Sequence, residues 1–196
     1  DAGIPAVVIC GTTGEASTMP DEEHLSVIEH AVKVINKRIP VIAGTGSNDT
    51  DHCINSCREA KRLGADGLLL VSPYYNKTSP KGLIKNFLET ADKTNKPIIL
   101  YNVPSRTGCN ILPATAAVLA DHPNIVGIKE ASGDMGYAMK VARFVGPDFA
   151  MYSGNDDITL PILSAGGSGV ISVYANIMPK MCHQIVADYL EGNRQQ

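Results

Sequence analysis

Short apolar runs recur along the chain at 6–10, 41–43, Gly67–Val71, 97–101, 125–129, 149–153 and 169–173, with starts 20 to 35 residues apart. Each is too short for a helix and reads as a strand buried on both faces. Between them the apolar period changes to that of helices. Segment 22–36 carries Leu25, Ile28, Val32 and Ile35 on one face. Thr50–Leu63 stops at Gly64, and Ser79-Pro80 starts a helix with Leu83, Phe87 and Ala91 as its stripe. Leu112-Pro113 opens another, and 136–145, 156–165 and Pro179–Glu191 complete the set. Seven strands alternating with seven helices predict an α/β fold, a parallel sheet covered by helices.

An open doubly wound sheet and a closed (β/α)8 TIM barrel both fit this alternation. The regular spacing favours the barrel, as do the polar strand ends Thr12-Thr13, Thr45, Ser72, Tyr101-Asn102, Lys129-Glu130, Ser153-Gly154 and Ser172. In a barrel these ends converge on one mouth, where such enzymes keep their active sites. A barrel domain takes eight strands and roughly 250 residues. One strand is therefore expected before Asp1, and residues 1–196 are read as a single incomplete TIM-barrel catalytic domain, strands 2 to 8.

Composition narrows the function classes. The 196 residues are 44% hydrophobic, enough for one sizeable core. A net charge of −3 with scattered basic residues speaks against nucleic acid and anionic membranes as partners. No apolar stretch approaches the roughly 20 residues of a membrane helix, and no signal peptide is visible. Five dispersed cysteines without a CxxC pair point to a reducing compartment, the cytoplasm. Cys53 and Cys57 share a helix face with Ile54 and Ala60 nearby, and read as small buried residues rather than metal ligands. The histidines lack metal-site spacing, so no metal is expected. No GxGxxG follows a strand, which argues against a nicotinamide cofactor. Gly166-Gly167-Ser168-Gly169 precedes a strand and reads as a helix-to-strand turn. A phosphate-handling barrel isomerase would carry a glycine-rich loop after the seventh or eighth strand, and none is seen.

Lys129 ends the apolar run Ile125-Val126-Gly127-Ile128. Either it has left the strand and reached solvent, or its buried amine is used. Desolvation lowers a lysine pKa, and a neutral amine can form a Schiff base with a carbonyl compound. Strict alternation would turn Gly127 and Ile125 inward with Lys129, and Glu130 toward the helices. Gly127 would then leave room for the lysine stem. Tyr101 closes the neighbouring strand, placed to shuttle protons. Gly11-Thr12-Thr13-Gly14-Glu15 can turn tightly and hold a carboxylate. Arg106, in the loop after Tyr101, is a cation suited to a second carboxylate.

The motifs GTTGE (11–15), VSPYYNK (71–77), YNVPSRTG (101–108), GIKEAS (127–132), SGND (153–156) and GVISV (169–173) resemble the dihydrodipicolinate synthases. These belong to the class I aldolases that include N-acetylneuraminate lyase. The resemblance spans essentially the whole chain. It implies that Lys129 forms an imine with pyruvate and that Tyr101 mediates proton transfer around it. By the same resemblance, Thr13 links Tyr101 to Tyr75, a second tyrosine that completes the site of a neighbouring subunit. Thr12 and Thr13 match the pyruvate-carboxylate binders, and Gly154 and Ile171 match positions lining the pocket. Arg106 matches the arginine that receives aspartate semialdehyde. The implied reaction condenses the pyruvate enamine with L-aspartate 4-semialdehyde to 4-hydroxy-tetrahydrodipicolinate, without cofactor, in a homo-oligomer built as a dimer of dimers. Sialic-acid lyases lack the arginine, but another Schiff-base pyruvate aldolase of the family and an inactive fragment remain alternatives. His24, Asn48 and Tyr74 match the lysine effector site, while His52 replaces a glutamate of lysine-sensitive members. Weak lysine inhibition is the expectation. The resemblance also implies C-terminal helices beyond residue 196.

Overall fold

The computed structural model describes residues 2–193. Seven strands form one parallel sheet: β1 Val7–Ile9, β2 Val41–Gly44, β3 Gly67–Val71, β4 Ile98–Asn102, β5 Ile125–Glu130, β6 Ala150–Ser153 and β7 Gly169–Val170. Their spatial order is their chain order. A doubly wound sheet reverses direction at a switch point; this one never does, and it curls into part of a (β/α) barrel. Among the described residues β1 and β7 do not pair.

The helices are α1 Asp21–Ile35, α2 Thr50–Leu63, α3 Pro80–Thr94, α4 Pro104–Thr107, α5 Pro113–Ala120, α6 Met135–Val141, α7 Thr159–Ser164 and α8 Pro179–Glu191. Two long ones begin at side-chain caps: Asp49 accepts the His52 N–H at 2.8 Å, and Ser79 accepts the Gly82 N–H at 3.2 Å. α1, α3 and α8 lie within a residue of their predicted bounds or starts, and α2 coincides with them. α4 escaped prediction, since four residues cannot display an apolar period. Segments 136–145 and 156–165 each divide into an α part and a 3₁₀ turn, Ala142–Phe144 and Asp156–Ile158. β7 is shorter than 169–173 because the N–H groups of Val173 and Tyr174 turn to the Asp156 carboxylate, each at 3.1 Å.

Two apolar layers result. The outer one packs strands on helices, with Leu68, Leu70, Ile98, Leu100, Ile125 and Ile128 against Ile28, Leu83 and Phe87. Cys53 and Cys57 lie in this layer, with the Thr45 hydroxyl 3.1 Å from the Cys57 sulfur. The inner layer gathers Leu69, Ile99, Tyr101, Val103 and Ala131 with half-buried Ile42, Tyr152 and Ile171.

Strict alternation fails in β5. Ile98 pairs with Ile125, but Ile99 pairs with Gly127, so Val126 is an extra residue, a bulge. Val126 therefore joins the inner layer and Ile125 the outer, against the expectation that Ile125 turns inward with Lys129. The reason for Gly127 also changes. A Cβ there would lie 2.6 Å from the Ala150 carbonyl oxygen, so the glycine admits the backbone of β6 rather than the lysine stem.

Candidate active site

The inner face of the β4 and β5 ends carries the reactive pair. Tyr101 and Lys129 are register partners. Lys129 is 9% exposed, and its Nζ lies 4.4 Å from the centroid of the Tyr101 ring. Among the described residues no hydrogen bond holds this ammonium. Burial lowers its pKa from 10.5 to about 8; Arg106 pushes the same way, and the Asp156 carboxylate opposes. About a tenth of the amine is therefore neutral at pH 7. Lys129 is not among the residues lining the neighbouring cavity; Cys10, which is, is pushed up to about 11 by burial, leaving almost no thiolate at neutral pH.

Burial also raises the Tyr101 hydroxyl above its ordinary range, while a hydrogen bond with Thr12 and the charge of Arg106 lower it. Thr12, not the Thr13 of the expectation, is the threonine beside Tyr101. It begins the 3₁₀ turn Thr12–Gly14 directly after β1. Cys10, two residues before that turn, is left-handed, φ 56°. Its carbonyl crosses so close to Gly44 that any side chain at Gly44 would collide with it. Thr13 faces another hollow, lined also by Asp156, Val173 and Tyr174. The threonine pair thus divides between two hollows, a distinction that residue type alone could not make.

Arg106 stands on α4, exposed, and lines a cavity of about 600 Å³ with Thr12, Tyr74, Tyr75 and Tyr101. Tyr75 is 90% exposed and left-handed, φ 68°, a conformation that costs free energy in a tyrosine. Among the described residues it makes no hydrogen bond to Thr13 or Tyr101. Gly154 donates its N–H to the Glu130 carbonyl at 2.6 Å, and the Ile171 N–H reaches Ser153 O at 2.9 Å. Ile171 packs in the inner layer with Tyr101.

The expected effector residues separate. His24 and Tyr74 line the cavity. The His24 ring is tied to Gly44 O at 2.9 Å. Asn48 is not on the cavity wall, and its carbonyl accepts from Asn76 at 3.1 Å. His52 lies on the wall and contacts Asp21, with both carboxylate oxygens 3.1 Å from Nε2. Sequence reasoning gave no role to Asp21 or Asp156 and did not foresee that Asn102 meets Glu130. Asp156 had a usable signal: it follows a strand end of the mouth by three residues.

A buried amine of lowered pKa, a phenol over which it sits, a hydroxyl beside that phenol and a guanidinium across the cavity can together perform imine chemistry on small carboxylates. Among the described residues no cluster of three His, Cys, Asp or Glu could hold a metal, and no helix is long and apolar enough to cross a membrane.

The 4-hydroxy-tetrahydrodipicolinate synthase of Acetivibrio thermocellus is 54% identical over 191 residues, covering 97% of this chain and 65% of that protein. A chloride-inhibited dihydrodipicolinate synthase from Acinetobacter baumannii, complexed with pyruvate, superposes with a TM-score of 0.96 at 45% identity, over 100% of this chain and 67% of that one. A monomeric dihydrodipicolinate synthase variant superposes at 0.95 with 41% identity, over 98% and 65%. The chain thus spans about 65% of the length of relatives it matches. The family model of the dihydrodipicolinate synthetases matches residues 1–196. The curled parallel sheet, with its lysine over a tyrosine, belongs to a member of the dihydrodipicolinate synthetase family.

Proposed function

We propose that the protein carrying this chain condenses pyruvate with L-aspartate 4-semialdehyde to give 4-hydroxy-tetrahydrodipicolinate, a step of lysine and diaminopimelate biosynthesis in the cytoplasm. The observation that carries this reading is the nearly buried amine of Lys129, at about pKa 8, over the Tyr101 ring. The neutral amine adds to the keto carbon of pyruvate. The carbinolamine loses water to an iminium, and a methyl proton leaves to give the enamine. Tyr101, with Thr12 beside it, moves these protons. The enamine carbon then attacks the aldehyde of aspartate semialdehyde, whose carboxylate Arg106 receives. Attack of the substrate amino group on the imine carbon closes the ring and releases Lys129.

Arg106 favours this reading over the sialic-acid branch. An eighth strand and C-terminal helices, supplied by the rest of the protein, complete the barrel in this reading. Tyr75, exposed and left-handed, reaches the cavity of a neighbouring subunit in a homo-oligomer, a dimer of dimers. Inhibition by lysine is weak, because His52 stands where lysine-sensitive members carry a glutamate, and the Asp21 carboxylate on the same cavity wall is in contact with His52.

Reduction with borohydride in the presence of pyruvate tests the proposal. A stable adduct should map to Lys129 and vanish in Lys129→Ala. An adduct on another lysine would overturn the assignment.

A further inference from the structure

Directly behind the reactive pair, on the opposite face of the same two strands, lies a second pair. Asn102 and Glu130 are the next register partners after Tyr101 and Lys129. They are 0% and 1% exposed, under the helix layer. A carboxylate there is costly unless its bonds do something an apolar pair could not. Its bonds form one chain. Glu130 Oε2 accepts the Asn102 amide at 2.8 Å, and Oε1 accepts the Ser132 N–H at 2.6 Å. Asn102 Oδ1 accepts the Ile111 N–H at 3.0 Å, and the Tyr137 hydroxyl donates to Ile111 O at 2.7 Å.

These bonds join three segments: β4 with Tyr101, β5 with Lys129, and the stretch 103–111 with Arg106. We infer that Asn102 and Glu130 are positioning residues for this site, holding Lys129 over Tyr101 and fixing the loop of Arg106. The inference rests on the imine reading for its purpose, but not for its geometry. Burial holds the Glu130 carboxyl above its ordinary range, as does the charge of Asp134, while Ser132 and Asn102 pull it back. Tyr137, also raised, completes the titratable groups around it. The groups whose charge reaches Lys129 are Asp156 and Arg106, so Glu130 acts through placement rather than through its charge.

The donors and acceptors of the chain allow a sharp test. In Glu130→Gln, one end of the side chain is an amide donor facing either the Asn102 amide or the Ser132 N–H. If Asn102 turns over to accept, it abandons the Ile111 N–H. A double variant, Asn102→Asp together with Glu130→Gln, moves the carboxylate to β4 and the amide to β5. The amide then donates to one oxygen of the relocated carboxylate, and its own oxygen accepts the Ser132 N–H. The second carboxylate oxygen accepts the Ile111 N–H. All the bonds return, with the charge moved one strand over.

Labelling by trinitrobenzenesulfonate, followed by peptide mass, reads the Lys129 amine across pH without pyruvate, so it stands apart from the borohydride test. In Glu130→Gln the labelling midpoint should rise by roughly a unit or more toward an ordinary lysine, and the double variant should restore it. A folded Glu130→Gln with an unmoved midpoint would overturn the inference. Should that variant lose its cooperative unfolding transition, the double variant decides: a folded protein with the native midpoint supports the inference, and an unfolded or displaced one sinks it. Loss of the pyruvate adduct from the native protein, with the labelling pattern intact, would strike the imine reading alone.

Discussion

The two faces of the β4–β5 pair differ more than one residue step suggests. On the inner face, Lys129 is buried with a ring for company and no hydrogen bond among the described residues. On the outer face, Glu130 is buried more completely, yet both its oxygens accept strong bonds. Burial pushes each toward its neutral form. The outer carboxyl is held by direct hydrogen bonds and serves order; the inner amine has only a ring and the opposed charges of Asp156 and Arg106 around it, and serves reactivity.

The comparison breaks first under truncation. Lys129→Met fills the same space without charge. It should abolish the pyruvate adduct yet raise stability at pH 7 by about 3 kcal/mol, from removing a lysine held below its ordinary pKa. The sign follows from linkage. The folded pKa, about 8, lies under the ordinary 10.5, so the native lysine costs stability fully below pH 8. That cost shrinks as pH rises toward 10.5, and the gap between variant and native protein should close over this window. Glu130→Ala should do the reverse, losing about 2 kcal/mol or more, since the Asn102 amide and Ser132 N–H are left buried without an acceptor. Urea unfolding at pH 7 and pH 10 measures both. Equal signs for the two variants would end the distinction between the faces.

Arg106 sharpens the inner face. Arg106→Ala should lower kcat/KM for aspartate semialdehyde by about one to two decades through KM, as losing a charge-assisted pair implies. Pyruvate imine formation should persist, with its pH midpoint moved slightly up, because Arg106 helps to lower the Lys129 pKa. Steady-state kinetics and borohydride trapping read the two effects separately. Equal loss of imine formation would make Arg106 a structural residue.

Most of this architecture was written in periodicity. α2 and α8 needed only an apolar stripe with Gly64 or Pro179 at an end, and the strands needed only runs of aliphatic residues. Lys129 and Tyr101 stood out because polar residues at the ends of buried strands must be used or compensated. What stayed illegible depends on departures from period. The bulge at Val126 reverses Ile125, and nothing in Ile-Val-Gly-Ile marks it. Thr12 and Thr13 are chemically alike, and the 3₁₀ turn alone decides which meets Tyr101. Alternation sent Glu130 toward the helices, where the structure has it, but Asn102 looked like a further mouth residue, and neither strand end announces that the two side chains meet.

The smallest test concerns Asp156, whose carboxylate is exposed and acts on Lys129 through its charge. Its Oδ2 accepts both the Val173 and Tyr174 N–H groups at 3.1 Å. Because one oxygen takes both bonds, Asp156→Asn can keep them and lose only the charge. That charge favours the Lys129 ammonium. Removing it should lower the midpoint for imine formation by a few tenths of a pH unit, a shift opposite to that of Arg106→Ala. Solvent screens an exposed carboxylate, so the shift should be clearest near 10 mM salt and shrink toward 1 M, where the Debye length falls to about 3 Å. Trapping rates against pH at the two salt concentrations measure it. A midpoint that rises, or that ignores salt, would mean that Asp156 acts by holding the backbone of 173 and 174 rather than by its charge.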